Sequence, residues 1–144
     1  MQQITLRIPK YFSLKELIHS DTACKRGYAN IPSYKQLRTL CELAVNVLDP
    51  IREMYGSPII VNSCYRCERT NHDVGGVKGS YHLCKDDHAA ADITTGNALQ
   101  NKSLFLKLCQ SEIPFNELQL GKAAAYIHVS YCEWHRVKEI TSNA

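Results

Sequence analysis

Two histidines and one aspartate have the residue types and the placement to form a metal site. His82, Asp92 and His128 each lie in or beside a short apolar run that is typical of a β-strand. Strand ends can bring such residues together, and two imidazoles with one carboxylate leave zinc a fourth position for water. A histidine in a strand is also commonly a hydrogen-bonded core or surface residue, so the spacing alone supports both interpretations.

The seven cysteines do not resemble the disulfide framework of a small secreted domain. Their number is odd, and Cys41 and Cys109 fall on apolar faces of helical patterns, where a reduced cysteine packs as a small hydrophobic side chain. We therefore expect free thiols in a reducing compartment. Cys64 and Cys67 form one C-x-x-C motif, but no second motif completes a four-ligand zinc site, so we interpret this spacing as coincidental.

The first half of the chain carries the signals of helices. Ser13 and Glu16 fit a capping box, which predicts a short helix over about 14–19. A second capping box starts at Ser33, and apolar residues then recur at the spacing of one helix face. These residues are Leu37, Leu40, Cys41, Ala44, Val47 and Leu48. This main core helix should end or kink at Pro50, because proline lacks the N–H that a helix interior needs.

The second half of the chain alternates short strands with one more helix. The predicted elements are a strand over 58–63, a loop or short helix over 68–79, a strand over 89–94, a helix over 99–109, and two hairpin arms over 115–120 and 126–131. The expected fold class is therefore α+β. N-terminal helices should pack on a small, mainly antiparallel sheet that carries the metal site, in a single domain over residues 1–144.

Several further motifs surround the candidate ligands in sequence order. They are Phe12-Ser13-Leu14-Lys15-Glu16-Leu17, Ser63-Cys64-Tyr65-Arg66, Asn71, Val74-Gly75-Gly76, Ser80-Tyr81-His82, Ala90-Ala91-Asp92-Ile93 and Ile127-His128-Val129. Together they resemble the zinc D-Ala-D-Ala carboxypeptidase family, the M15 peptidases, and especially its small single-domain members from bacteriophages and gut bacteria. The resemblance extends over nearly the whole chain.

The resemblance implies a role for each matching residue. The two histidines and the aspartate would bind Zn²⁺, the cofactor of the family. Arg66 would bind substrate and stabilise the oxyanion that forms during peptide hydrolysis, a task that suits a planar, permanently charged guanidinium. Ser80 and Asn71 would orient the substrate or the residues around it.

The first departure from the family pattern is a three-residue insertion. His82 and Asp92 lie ten residues apart, three more than in the family. A surface loop tolerates such an addition at little cost, so we still expect both residues to bind zinc. The insertion also places His88 four residues before Asp92 as a rival ligand. We prefer His82, because an added loop histidine is more often solvated than bound.

The second departure concerns the general base, which deprotonates water and passes the proton to the leaving amine. Many family members carry a carboxylate three residues before the last histidine, where this chain has Ala125, and members of the subgroup carry a glutamate where it has Gly121. Glu117 replaces a family glutamine and is a candidate for a displaced base, with a solvent-facing strand carboxylate as the alternative. Asp86 and Asp87 are the other candidates.

The sequence thus predicts a zinc metallopeptidase that acts on D-amino-acid-containing peptides of bacterial peptidoglycan, as a D-Ala-D-Ala carboxypeptidase or an endolysin. Hydrolysis should be weak or absent because the expected base is missing. One alternative is a peptidoglycan-binding or virion-associated module that keeps the zinc site but has lost turnover. Another is a zinc-free interaction domain, which would require the three candidate ligands to lie far apart.

Composition and charge exclude other classes of partner. The 144 residues are 44% hydrophobic and 22% charged, and a net charge of +3 without a basic run gives no nucleic-acid surface. No apolar stretch approaches the ~20 residues of a membrane span. We expect a monomer whose partners are peptidoglycan peptides. The N-terminus has no signal-peptide pattern, so we expect synthesis in the bacterial cytoplasm and action at the wall only after release or delivery.

Overall fold

The computed structural model describes Gln3 and residues 5–135 and 137–144 of the chain. The helices are α1 (Leu14–Ile18), α2 (Asp21–Arg26), α3 (Tyr34–Leu43), α4 (Asp49–Tyr55), α5 (Glu68–Asp73) and α6 (Ala98–Cys109). The strands are β1 (Ile60–Ser63), β2 (His88–Thr94), β3 (Glu117–Leu120), β4 (Ile127–Cys132) and β5 (Glu139–Ser142). A π-helical segment covers Ala44–Leu48, and 3-10 turns cover Tyr81–Leu83 and Lys122–Ala124. The predicted α+β class is confirmed.

Capping by side chains explains where two of the N-terminal helices begin. The Ser13 hydroxyl accepts the backbone N–H of Glu16, and the Glu16 carboxylate accepts the backbone N–H of Ser13. Ser33 and Gln36 repeat this reciprocal arrangement at the start of α3. Each box satisfies two donors that the first turn leaves free, so both predicted starts are confirmed.

The sequence predicted that the core helix ends or kinks at Pro50. In the structure the helical path passes Pro50 and continues to Tyr55, with an irregular turn before the proline. Between α3 and α4 the chain widens into the π-helical segment, where the Asp49 N–H reaches the carbonyl of Ala44. Pro50 then occupies the first turn of α4, a position at which a missing N–H costs no intrahelical bond. The π turn thus lets one continuous helical rod carry a proline.

The sheet has the order β1-β2-β4-β3-β5. The β1–β2, β2–β4 and β3–β4 pairs are antiparallel, and β3 and β4 form the predicted hairpin. The edge strand β5 was not predicted, and it runs parallel to β3. Helix α2 was also not predicted. The sheet is therefore mainly antiparallel, as expected, with one parallel edge.

Alternation along the strands gives the sheet two different faces. On β2, Ala89, Ala91 and Ile93 are buried in the main core, which the helical rod and α6 cover. Asp92 on β2 and His128 on β4 point to the opposite face, because successive strand residues alternate. The face that packs on the core therefore stabilises the fold, while the opposite face carries two of the candidate metal ligands.

The cysteines and the helices agree with two further expectations from the sequence. All seven cysteines are free, and Cys41 and Cys64 are buried. None of the helices in the described part of the chain has the length and apolarity of a membrane span.

Candidate metal centre

The fold brings His82, Asp92 and His128 together. One donor atom from each side chain lies within 4.8 Å of the donors of the other two. His82 Nε2 is 3.4 Å from Asp92 Oδ1, and His128 Nδ1 is 2.9 Å from the same oxygen. Asp92 and His128 face each other directly across the β2–β4 pair. Three separate elements, a 3-10 turn and two strands, thus converge on one point.

His82 is held in a fixed orientation by the backbone around it. Its side chain is buried, and its Nδ1 lies 2.8 Å from the carbonyl oxygen of Cys64, to which it donates. The backbone N–H of Arg66 in turn donates to the carbonyl of His82 at 2.8 Å. Because Nδ1 is engaged with this carbonyl, Nε2 is the ring nitrogen that faces Asp92.

His128 lies between two carboxylates. Its Nδ1 contacts Asp92, and its Nε2 lies 3.1 Å from Oε1 of Glu117. The hairpin register places Gln119 directly opposite His128, so Glu117 is its diagonal neighbour on the same face of the sheet. The antiparallel pairing therefore decides which carboxylate reaches each side of the ring.

These contacts shift the protonation of the site. Burial lowers the pKa of His128, but hydrogen bonds with Asp92 and Glu117 outweigh it and raise this pKa to about 9. Burial raises the pKa of Asp92, and the hydrogen bonds from His128 and His82 overcome it and hold the pKa well below its usual range. The hydrogen bond from His128 also lowers the pKa of Glu117, against the effect of burial. His128 is thus protonated at neutral pH in the metal-free protein, and a bound cation must displace that proton.

Arg66 lies beside this cluster. Its Nη2 is 3.4 Å from the hydroxyl of Ser80, and Asp92 is close enough for its charge to raise the pKa of Arg66, against the larger lowering effect of burial. Its Nε is buried without a hydrogen-bond partner, and within the described residues Arg66 takes part in no ion pair. The guanidinium therefore keeps donors available for another group.

Ser80 and Asn71 support the surrounding loops. The Ser80 hydroxyl accepts the backbone N–H of His82 at 3.2 Å, which fixes the 3-10 turn. Asn71 is buried, and its Nδ2 donates to the carbonyl of Val77. Asn71 also lines a cavity of about 440 Å³, but none of the three candidate ligands lines that cavity.

The rival residues of the insertion lie elsewhere. His88 begins β2 and stacks on Tyr81 at a ring-centroid distance of 4.2 Å, outside the cluster of three donors. Asp86 and Asp87 adopt left-handed backbone angles and line a separate cavity of about 300 Å³ next to α3. The insertion therefore forms a tight turn that leads into β2, and the structure groups His82 rather than His88 with Asp92.

The two positions at which a general base was expected lie in the connection between β3 and β4. Ala125 is exposed and follows the 3-10 turn of that connection. Gly121 is buried, and its N–H donates to the carbonyl of Tyr126 at 2.9 Å. Neither position carries a carboxylate, and Glu117, the proposed substitute, lies at Nε2 of His128.

The donor set fits zinc. Two imidazole nitrogens and one carboxylate oxygen match the ligands of catalytic zinc sites, which keep a further position open. The hydrogen bond between His82 and the Cys64 carbonyl is the kind of outer contact that fixes the ring of a metal-binding histidine. Sequence reasoning missed this carbonyl, since a backbone acceptor leaves no residue-type signal, and it missed the contact between Glu117 and His128.

A comparison with known protein families gives independent support to the family resemblance. Residues 10–130 match the sequence model of the family described as Peptidase M15. No curated protein matches the chain significantly. Because the matched region spans most of the chain and contains the whole donor cluster, the protein belongs to the peptidase M15 family, a membership that supports peptidase activity and indicates a metallopeptidase.

Proposed function

We propose that this protein is a zinc-dependent peptidase that hydrolyses D-amino-acid-containing peptides of bacterial peptidoglycan. The observation that carries the proposal is the convergence of His82, Asp92 and His128 within 4.8 Å in a chain of a peptidase family. The substrate class follows from the resemblance of the surrounding motifs. The two histidines and the aspartate hold the metal, and Arg66 binds the peptide.

The two histidines have different supports. His82 presents Nε2 because its Nδ1 is bonded to the Cys64 carbonyl, whereas His128 presents Nδ1 toward Asp92. When zinc is bound between them, these ligands would give it the Lewis acidity needed to activate water and polarise the peptide carbonyl. The negative charge of Asp92 offsets part of the charge of the cation, which favours binding at a half-buried position.

Arg66 is the residue that we assign to the substrate. Its guanidinium has unused donors, lies within the field of Asp92, and is oriented by the Ser80 hydroxyl. A planar fork of this kind can bind a carboxylate or the oxygen that gains charge during attack on a carbonyl. Ser80 and Asn71 act through the loops that they fix, as orienting residues.

The experiment that tests this proposal combines metal analysis with a muropeptide assay. Purified protein should contain about one zinc ion per chain, and His82→Ala should lose it while His88→Ala retains it. Product release from D-Ala-terminated muropeptides should depend on the metal. Retention of zinc by His82→Ala with loss in His88→Ala would contradict the ligand assignment.

A second candidate function is favoured by Ala125. This residue occupies the place of a general base, which typically contributes a factor of roughly 10² to 10⁴ in rate, so the chain could bind peptidoglycan peptides without efficient turnover. The exposed turn has room for a longer side chain, and Ala125→Glu should therefore raise the rate of release. Ala125→Gln is the matched control, because it adds the same bulk without the carboxylate. Efficient release by the natural protein would exclude the impaired module.

A further inference from the structure

We propose that Glu117 is a positioning residue that fixes the ring of His128, so that Nδ1 faces the metal and Nε2–H donates to the Glu117 carboxylate. The inference deepens the proposed function and rests on it. It replaces the hypothesis of a displaced general base at Glu117. The two contacts that carry it are His128 Nδ1 to Asp92 Oδ1 at 2.9 Å and His128 Nε2 to Glu117 Oε1 at 3.1 Å.

The two contacts lie on different edges of the imidazole ring. Asp92 is also approached by Nε2 of His82, so the edge of His128 that carries Nδ1 faces the donor cluster. Glu117 occupies the edge that carries Nε2. One oxygen of the Glu117 carboxylate is therefore engaged at Nε2, the ring nitrogen that does not contact Asp92.

The backbone holds Glu117 firmly enough for this role. The Glu117 N–H donates to the Ser130 hydroxyl at 3.0 Å, and Glu117 lies between β4 on one side and β5 on the other. Its side chain is about one-third exposed, at 36%. A strand that is paired on both edges limits the movement of the carboxylate relative to His128.

The chemistry of this arrangement is that of a supported metal ligand. An imidazole that donates its second N–H to a carboxylate keeps one tautomer, and the donating nitrogen makes the other a better ligand. His82 obtains the same support from a backbone carbonyl, so both histidines of the site are fixed from behind. A glutamine at position 117 can still accept the N–H through its amide oxygen, without the charge.

The test compares zinc affinity and ring protonation in three variants. Glu117→Ala removes the acceptor, Glu117→Gln keeps it without charge, and Glu139→Gln neutralises an exposed carboxylate that pairs with Glu117 in the parallel register. Zinc affinity is measured by competition with a chelator, and the protonated nitrogen of His128 in the zinc-loaded protein is identified by ¹⁵N NMR of the histidine rings. Circular dichroism confirms that each variant is folded.

We expect Glu117→Ala to bind zinc roughly 10 to 100 times more weakly and to lose the fixed Nε2–H form of His128. Glu117→Gln should lose only a few-fold in affinity and keep the tautomer, and Glu139→Gln should match the natural protein. Unchanged affinity and tautomer in Glu117→Ala would overturn the inference. Loss of turnover in Glu117→Gln with full zinc affinity and the natural tautomer would overturn it too, in favour of a general base.

These outcomes separate the inference from the proposed function. If the zinc-loaded natural protein releases no product from muropeptides, the proposed activity is contradicted. The effect of Glu117→Ala on zinc affinity still tests whether Glu117 positions His128. Absence of zinc binding by the natural protein contradicts both.

Discussion

At the residue scale, the proton on His128 links the site to folding. Asp92 and Glu117 both accept from this imidazole and raise the pKa of His128 to about 9, from an ordinary value of 6.5. A histidine with a raised pKa stabilises the folded protein fully below the unfolded pKa, and this stabilisation is lost as the pH rises through the folded pKa. The same nitrogen that holds the proton is the one that a cation would bind.

We therefore expect the free energy of unfolding of metal-free protein to fall between about pH 6.5 and pH 9. The loss attributable to His128 should be at most about 3–4 kcal/mol, since each pKa unit corresponds to about 1.4 kcal/mol. Urea unfolding of chelator-treated protein across this range measures it. In His128→Gln the free energy of unfolding should change less with pH. An equally steep change with pH in that variant would contradict the assignment to His128.

Arg66 is a second residue whose role depends on its functional group, the guanidinium, rather than on the volume of its side chain. Arg66→Lys keeps the positive charge but removes the planar fork, so affinity for a D-Ala-terminated peptide should fall about tenfold or more. Titration of the zinc-loaded protein with peptide measures the change. Arg69→Lys is the matched control, because Arg69 is exposed and stacks on the ring of Tyr28. An equal fall in peptide affinity in both variants would contradict a specific role of Arg66 in substrate binding.

At the element scale, the connection between β3 and β4 explains why a carboxylate is not simply restored at position 121. A Cβ atom built on Gly121 would lie 2.4 Å from a ring carbon of Tyr126. The backbone there is not left-handed, with φ of −71°, so the constraint is the close packing of this ring rather than the conformational freedom of glycine. The tyrosine thus occupies the space that a side chain at position 121 would need.

We expect Gly121→Ala to destabilise the protein by about 1–3 kcal/mol, because the Tyr126 ring must move to make room. Removing the ring in Tyr126→Ala should make the same change at Gly121 much better tolerated. A double-mutant cycle of unfolding free energies measures this coupling. Additive effects of the two substitutions would show that the Tyr126 ring is not the cause of the destabilisation by Gly121→Ala.

At the scale of the whole molecule, the site closes only when distant parts of the chain meet. His82 lies on the 3-10 turn, Asp92 on β2 and His128 on β4, and the Cys64 carbonyl that supports His82 follows β1. An unfolded chain does not hold these donors together. A cation that binds them therefore binds the folded state preferentially.

We accordingly expect zinc to raise the unfolding free energy of the metal-free protein. The increase should be about 2.7 kcal/mol at a free zinc concentration 100 times the dissociation constant. Thermal unfolding with and without zinc measures it, after removal of metal with a chelator. His128→Ala should lose the shift and His88→Ala should keep it. A shift of the same size in His128→Ala would mean that zinc binds elsewhere.

Local sequence patterns were sufficient to predict several elements of the fold and the family. The capping boxes at Ser13 and Ser33, the apolar face of α3 and the β3–β4 hairpin are short-range features, so the sequence predicted them with nearly correct bounds. The motifs around His82, Asp92 and His128 also identified the family, which the match over residues 10–130 confirms. Residue types and spacing therefore determined which chemistry to look for.

The remaining features depend on partners that are distant in sequence, and only the tertiary structure decided them. The parallel pairing of β5 with β3 has no local signal, and the passage through Pro50 depends on a widened turn within the packed helical rod. Glu117 reaches Nε2 of His128, and not the ring nitrogen that contacts Asp92, because of the register between β3 and β4. A shift of one residue would turn Glu117 to the core face, so its role is a property of pairing and cannot be read from residue type.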